Sequence, residues 1–266
     1  MSKKIHNNKI SLIWKLAKND FKNRYAGSYL GAVWAMVQPV ITVLMYYIVF
    51  DKIFQSRAEA VAGDIPIPYV LFLTAGLVPW FYFSEGLTNG TMALLQYDYL
   101  VKKVVFKVEI LPIVKIVAAT FIHAFFLCVL IVIGCVYGYY PGIHTLQLLY
   151  YSFCMFMLVL AFSYTTSSIV VFFKDLNQLI QIVLQIGMWA TPILWNLGKI
   201  SEKWQLVIKL NPVTYIVDGY RNTICNHTFF LKDWQYTLYF WCFVGIFMLI
   251  GRKIFKKLML TFADVL

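Results

Sequence analysis

Gln178, Gln181, Gln185 and Trp189 follow one another at intervals of three or four residues inside an apolar run, and Pro192 and Asn196 continue the same helical arc. Hydrocarbon does not tolerate a row of amides on one helix face, so this arc must look at protein or water. A comparable stripe, Trp34, Gln38, Thr42 and Met45 with Tyr46 at its edge, lies in the first apolar run, and Ser152, Ser163, Thr166 and Ser167 lie in the fourth. Sugar rings stack their C–H faces on aromatics and exchange hydrogen bonds with amides, so these groups suit a path for an uncharged, hydroxyl-rich polymer. An ion path would ask for charges instead. Taken singly, each residue also serves as glue between helices; the Gln178 to Asn196 arc as a set favours a path.

Bond-breaking chemistry has no comparable support. The chain contains no D-x-D, H-E-x-x-H, G-x-S-x-G or G-x-x-x-x-G-K-[ST] pattern. Its twelve acids are dispersed, and His6, His123, His144 and His227 are scattered. His123, inside an apolar run, is read as a helix-to-helix hydrogen bond rather than a ligand. Glu85 is the one acid deep in such a run, and it is expected to be satisfied locally by Ser84, Thr88 or Asn89. Five cysteines without a C-x-x-C pair encode neither a disulfide framework nor a zinc site. The expectation is a chain with no catalytic residue, no metal and no cofactor of its own.

The elements that must position these faces are membrane helices. Of 266 residues 61% are hydrophobic and only 13% charged, and the mean hydropathy is +0.72, whereas a soluble domain carries about 25% charged residues. With about 20 apolar residues needed per crossing, six spans are expected: 32–54, 69–87, 113–139, 148–172, 176–195 and 234–250. Gly63-Asp64 with Pro66 and Pro68, then Pro141-Gly142, Lys174-Asp175 and Asn211-Pro212, punctuate them. The first apolar run begins at Gly31, too late and too long for a cleaved signal, so it reads as a retained anchor. Trp80, Trp195, Trp204 and Trp234 read as interfacial belt residues.

The net charge of +11 sorts by loop. On one side the segments carry seven, four, one and four Lys or Arg, sixteen in all, against seven on the other. The positive-inside rule puts both termini in the cytoplasm, and nucleic-acid binding loses its main support.

Three segments outside the spans are patterned. Ile10, Ile13, Trp14, Ala17, Phe21 and Tyr25 form one face of an amphipathic helix on the cytoplasmic leaflet. Tyr97, Leu100, Val101, Val104, Val105 and Val108 form another, opposite Asp98, Lys102 and Lys107; such a helix lies on the membrane surface or docks in a partner's groove. The stretch 196–233 holds two apolar helical stripes, Ile200 to Ile208 and Val213 to Ile224, around Asn211 as an N-cap and Pro212 at the first helical position. It reads as an external re-entrant hairpin shielded by protein, or as one lying on the surface.

Asp20 to Trp34 (DFKNRYAGSYLGAVW) with Gln38-Pro39 resembles the start of span one in type-2 ABC exporter permeases for cell-surface polysaccharides. Gly76 to Ser84 (GLVPWFYFS), Leu100-Val-Lys-Lys103 with Glu109-Ile-Leu-Pro112, Lys174-Asp-Leu176, Thr191-Pro-Ile193 and Asn211 to Ile216 (NPVTYI) with Arg221 follow in order. At Lys107-Val108 the chain departs from the Pro-Arg usual in that family. The resemblance implies an all-α, six-span membrane protein: a gate helix within 1–30, a permease domain over 31–266, a coupling helix at about 97–110 and an external hairpin at about 197–225. It implies a homodimer with two copies of a separate P-loop ATPase, which would carry ATP and Mg, in a bacterial plasma membrane. Tyr97, Leu100, Val101, Val104, Val105 and Glu109 would seat in the ATPase. Trp204, Asn211, Pro212, Tyr215 and Arg221 would belong to the external gate. Lys18, Lys22 and Arg24 would meet the diphosphate of an undecaprenyl-linked polysaccharide, whose sugars would pass Trp34, Gln38, Thr42, Tyr46, Gln178, Gln181, Gln185 and Trp189. Two other expectations stay open: an exporter of a drug or lipid without a glycan, and a polyprenyl-linked membrane enzyme.

Overall fold

Long apolar runs leave the backbone no hydrogen-bond partner but itself, and every regular element among the described residues is helical. The computed structural model describes residues 2–24, 27, 29, 31–54, 67–102 and 106–266. Helix α1 spans Ser2–Arg24. Helix α2, Trp34–Tyr46, runs on into wider π-helical turns over Tyr47–Ile53. Helices α3 (Tyr69–Thr91), α4 (Ile110–Val136) and α5 (Gln147–Val170) form the centre. After them come α6 (Leu176–Ala190), the short α7 (Glu202–Lys209), α8 (Pro212–Ile224) and α9 (Trp234–Leu258).

Five helices among the described residues are long and apolar enough to cross a membrane; they contain α2, α3, α4, α5 and α9. The fifth expected span, 176–195, gives a helix shorter than its apolar run. Thr191 precedes Pro192 and takes an extended conformation (φ −85°, ψ 140°), which ends α6 after 15 residues. At 1.5 Å per residue that helix is about 22 Å long, short of the roughly 30 Å hydrocarbon core.

The core centres on α3, which packs on α4, α5 and α8, while α9 packs on α5. Small residues permit the close crossings: a Cβ on Gly90 would run into the Ser163 side chain. The outer helices differ sharply from this. None of the α2 residues whose side chains are described is buried, and α6 buries only Ile180 and Leu184.

Helix α1 forms as its periodicity predicts and packs on α4, with Ala17 fully buried against Val114 and Ala118. Trp14 and Phe21 meet Phe121 edge-on, at 5.2 and 5.7 Å between ring centroids. Tyr25 lies outside the described residues. The segment after α3 departs from expectation. Ala93–Gln96 and Asp98–Val101 are single turns broken at Tyr97 (φ −117°, ψ 33°), residues 106–109 are not helical, and Val104 and Val105 lie outside the described residues. Tyr97, Val101 and Val108 are buried in this chain's own core, and the exposed side chains among the described residues of this segment are Gln96, Tyr99, Lys102, Lys107 and Glu109. The period of an apolar face sets its helical phase but not which surface covers it.

A polar groove beside the central helix and two long-range clamps

The groove is built from α2, α3, α4 and α6 and encloses about 800 Å³. Trp34, Gln38 and Thr42 line one wall, Gln181 of α6 contributes an amide, and Arg24 reaches it from α1. Gln181 donates from Nε2 to Thr88 Oγ1 at 2.9 Å, which ties the thinly packed α6 to α3. Thr42 donates to the Gln38 carbonyl at 3.0 Å, so its hydroxyl is already satisfied along the helix. On the far wall His123 stacks on Tyr82 at 4.3 Å and meets Ser152 Oγ at 2.9 Å and the Tyr220 hydroxyl at 3.1 Å through Nε2. It thereby joins α4 to α5 and α8, the helix-to-helix role expected of it.

The other channel candidates lie elsewhere. Tyr46 sits further along α2 against Phe50, 6.0 Å between rings. Gln178, Gln185 and Trp189 are exposed on the same face of α6 as Gln181 but do not line the groove.

Glu85 is satisfied differently from expectation. Its carboxylate takes Arg24 Nη1 at 2.5 Å, and Asn89 donates to its backbone carbonyl instead. Arg24 also lies 3.4 Å from Asp20. Asp20, buried, accepts from the Tyr97 hydroxyl at 2.8 Å and pairs with the buried Lys115 Nζ, which sits 4.7 Å over the Tyr97 ring. Burial, reinforced by the Asp20 charge, holds the Tyr97 phenol above its ordinary pKa and keeps it a donor. These five side chains bind α1 to α3, α4 and the segment after α3. Two signals marked them in the sequence: an acid in register with Ala17 and Phe21 on an apolar face, and a lysine inside a span. Lys115 therefore belongs to the interior rather than to the loop charges, and Arg24 is committed to two carboxylates. Lys18 and Lys22 remain exposed on α1.

The second clamp is at the opposite end of α3. Asn211 caps α8 by accepting from Val213 N at 3.0 Å, and its amide donates to Thr191 Oγ1 at 2.9 Å. Pro212 and Tyr215 are buried, the latter stacked on Phe240 at 4.8 Å with its hydroxyl 3.0 Å from Thr237. Arg221, also buried, donates to the carbonyls of Phe72 (3.3 Å), Pro192 and Ile193 (2.6 Å), with its guanidinium 3.5 Å over the Phe72 ring. Gly76 leaves it room, since a Cβ there would stand 3.0 Å from Nη2. The Gly76, Thr191-Pro-Ile193 and Arg221 motifs, far apart in sequence, thus meet at one point. Trp204 is exposed on α7 and Trp234 at the start of α9, whereas Trp80 is buried against Gly187 rather than in an interfacial belt.

Long apolar helices around a polar groove define a multi-pass helical membrane protein. The chain belongs to the ABC-2 type transporter family, whose model matches residues 11–225. It is 27% identical over 263 residues to the O-antigen export system permease protein RfbA of Klebsiella pneumoniae, covering 96% of this chain and 95% of that one. The protein of the same name from Myxococcus xanthus is 28% identical over 219 residues, 81% of each chain.

Proposed function

We propose that the chain is the transmembrane subunit of an ATP-driven exporter that moves an undecaprenyl-diphosphate-linked polysaccharide outward across a bacterial plasma membrane. The observation that carries this reading is α6, where Gln178, Gln181 and Gln185 are exposed along one face beside the polar groove. In a bilayer those amides need protein or water. A second copy facing the first across α2 and α6 supplies both, with a channel between the copies. The names of the relatives favour a glycan of O-antigen type, and capsule, teichoic acid or rhamnan-type chains have the same chemistry.

Both termini lie in the cytoplasm in this reading, as the lysine and arginine asymmetry favours. Two copies of a P-loop ATPase, holding ATP and Mg, dock on the segment after α3, whose outward residues are Tyr99, Lys102, Lys107 and Glu109. The Asp20 to Tyr97 contact passes their movement to α1, the gate helix. Lys18 and Lys22 supply cations for the lipid diphosphate, and the α7–α8 hairpin, with Trp204 outermost, closes the external mouth. The test is a pull-down of the tagged chain in mild detergent. A P-loop polypeptide co-purifying in equal amount supports the reading; a chain that purifies alone and turns over a polyprenyl-linked substrate contradicts it.

A further inference from the structure

A smaller cavity of about 250 Å³ opens at the end of the bundle away from α1, between α7, α8 and the start of α9. Asp218 and Asn222 stand one turn apart on α8, Gln205 faces them from α7, and Asn226 and Tyr236 close the sides. Asn226 donates to Asn222 Oδ1 at 2.9 Å. The Asn226 Oδ1 and Tyr236 hydroxyl atoms are buried without a partner, and Asp218 makes no hydrogen bond or ion pair among the described residues. The neighbouring Arg221 spends its donors on three carbonyls, so its charge, like that of Lys209, acts on Asp218 only through space. A partly buried carboxylate, with an amide oxygen and a phenol that lack hydrogen-bond partners among the described residues, together ask for a ligand that both donates and accepts hydrogen bonds.

Shape and charge narrow the ligand. The cavity falls below the 300–1,000 Å³ usual for drug-sized sites, so it admits one ring and not a lipid chain. Lys209, Lys232 and Arg221 line the cavity against Asp218 and Asp233. With every Arg221 hydrogen bond given to a backbone carbonyl, the two lysines facing two aspartates leave no strong preference for an anion. The partly exposed Tyr236 ring, held edge-on against the buried Tyr215 at 5.1 Å between centroids, supplies aromatic surface for C–H faces. We infer that this pocket binds a single neutral sugar ring. The ring is either a residue of the chain in transit or a free sugar outside the cell; only the first source rests on the polysaccharide-export reading.

The test uses the full chain in lipid nanodiscs and the methyl glycosides of glucose, galactose, mannose, rhamnose and N-acetylglucosamine, followed by saturation-transfer difference NMR. The inference expects transfer to at least one glycoside, lost in Asp218→Asn and reduced severalfold in Tyr236→Phe, which removes only an unpartnered hydroxyl and spares the fold. No transfer to any glycoside, or transfer unchanged in both variants, overturns it. Surface glycan in cells carrying Tyr236→Phe separates the sources: a deficit identifies the chain in transit, and normal display identifies a free sugar. If deleting the chain leaves surface glycan intact while glycosides still bind, the export reading falls and the pocket stands. If deletion abolishes surface glycan and no glycoside binds, the pocket falls and the export reading stands.

Discussion

The Tyr97 hydroxyl donates to the Asp20 carboxylate at 2.8 Å across 77 positions of sequence, joining the N-terminal helix to the segment that follows α3. Both groups are buried, and Lys115 completes the site from α4. An ion pair of this kind is a poor source of net stability but a strict constraint on geometry, because removing one partner strands the other.

Asp20→Asn therefore destabilises the chain more than Tyr97→Phe. The first leaves Lys115 as an uncompensated buried charge, a loss of about 3–5 kcal/mol. The second deletes one hydrogen bond to a charged group, about 1.5–3 kcal/mol. Thermal unfolding of both variants in one detergent checks the order, and equal or reversed losses would contradict the network.

Arg221→Lys should lower the abundance of folded chain strongly. An ammonium cannot reproduce the planar fork that reaches the Phe72, Pro192 and Ile193 carbonyls together, nor its stacking on Phe72. Gly76→Ala acts on the same clamp from the other side and costs about 1–3 kcal/mol, as overpacking does. Size-exclusion profiles of the two variants, alone and combined, check this, since residues in contact combine non-additively.

Lys102→Glu with Tyr99→Ala should weaken co-purification of an ATPase while leaving the chain monodisperse, because both side chains point outward. Val101→Asp, on the buried side, should instead reduce the amount of folded chain. Weaker co-purification in Val101→Asp at normal abundance would return the docking surface to the inward stripe.

Gln181→Leu should reduce surface polymer severalfold at unchanged abundance. Its amide lines the groove and holds α6 by one exposed bond to Thr88, so the fold loses little. Quantifying surface glycan against chain level in the same cells checks it.

Local signals read correctly where the physics is local. Twenty-residue apolar runs marked the five long helices, Asn211-Pro212 marked the start of α8, and the period of Ile13, Ala17 and Phe21 marked α1. What the sequence hid is long-range. The Tyr97 to Val108 stripe carries a helical period, yet it is broken at Tyr97, and of its described residues Tyr97, Val101 and Val108 are turned into the core because this chain's own helices cover them. Asp20 and Lys115 stand out in the sequence, but nothing there says that they pair or that Arg24 of α1 reaches Glu85 of α3. In the apolar run that ends at Trp195, Pro192 carried the signal for the early stop of α6, and hydropathy alone overrode it.

The central claim is that this chain carries a glycan across the membrane. Depleting it and fractionating the lipid-linked polymer tests that most directly. Polymer should accumulate on the cytoplasmic side and disappear from the surface, with both effects reversed by the wild-type chain. Unchanged surface polymer in depleted cells would contradict it.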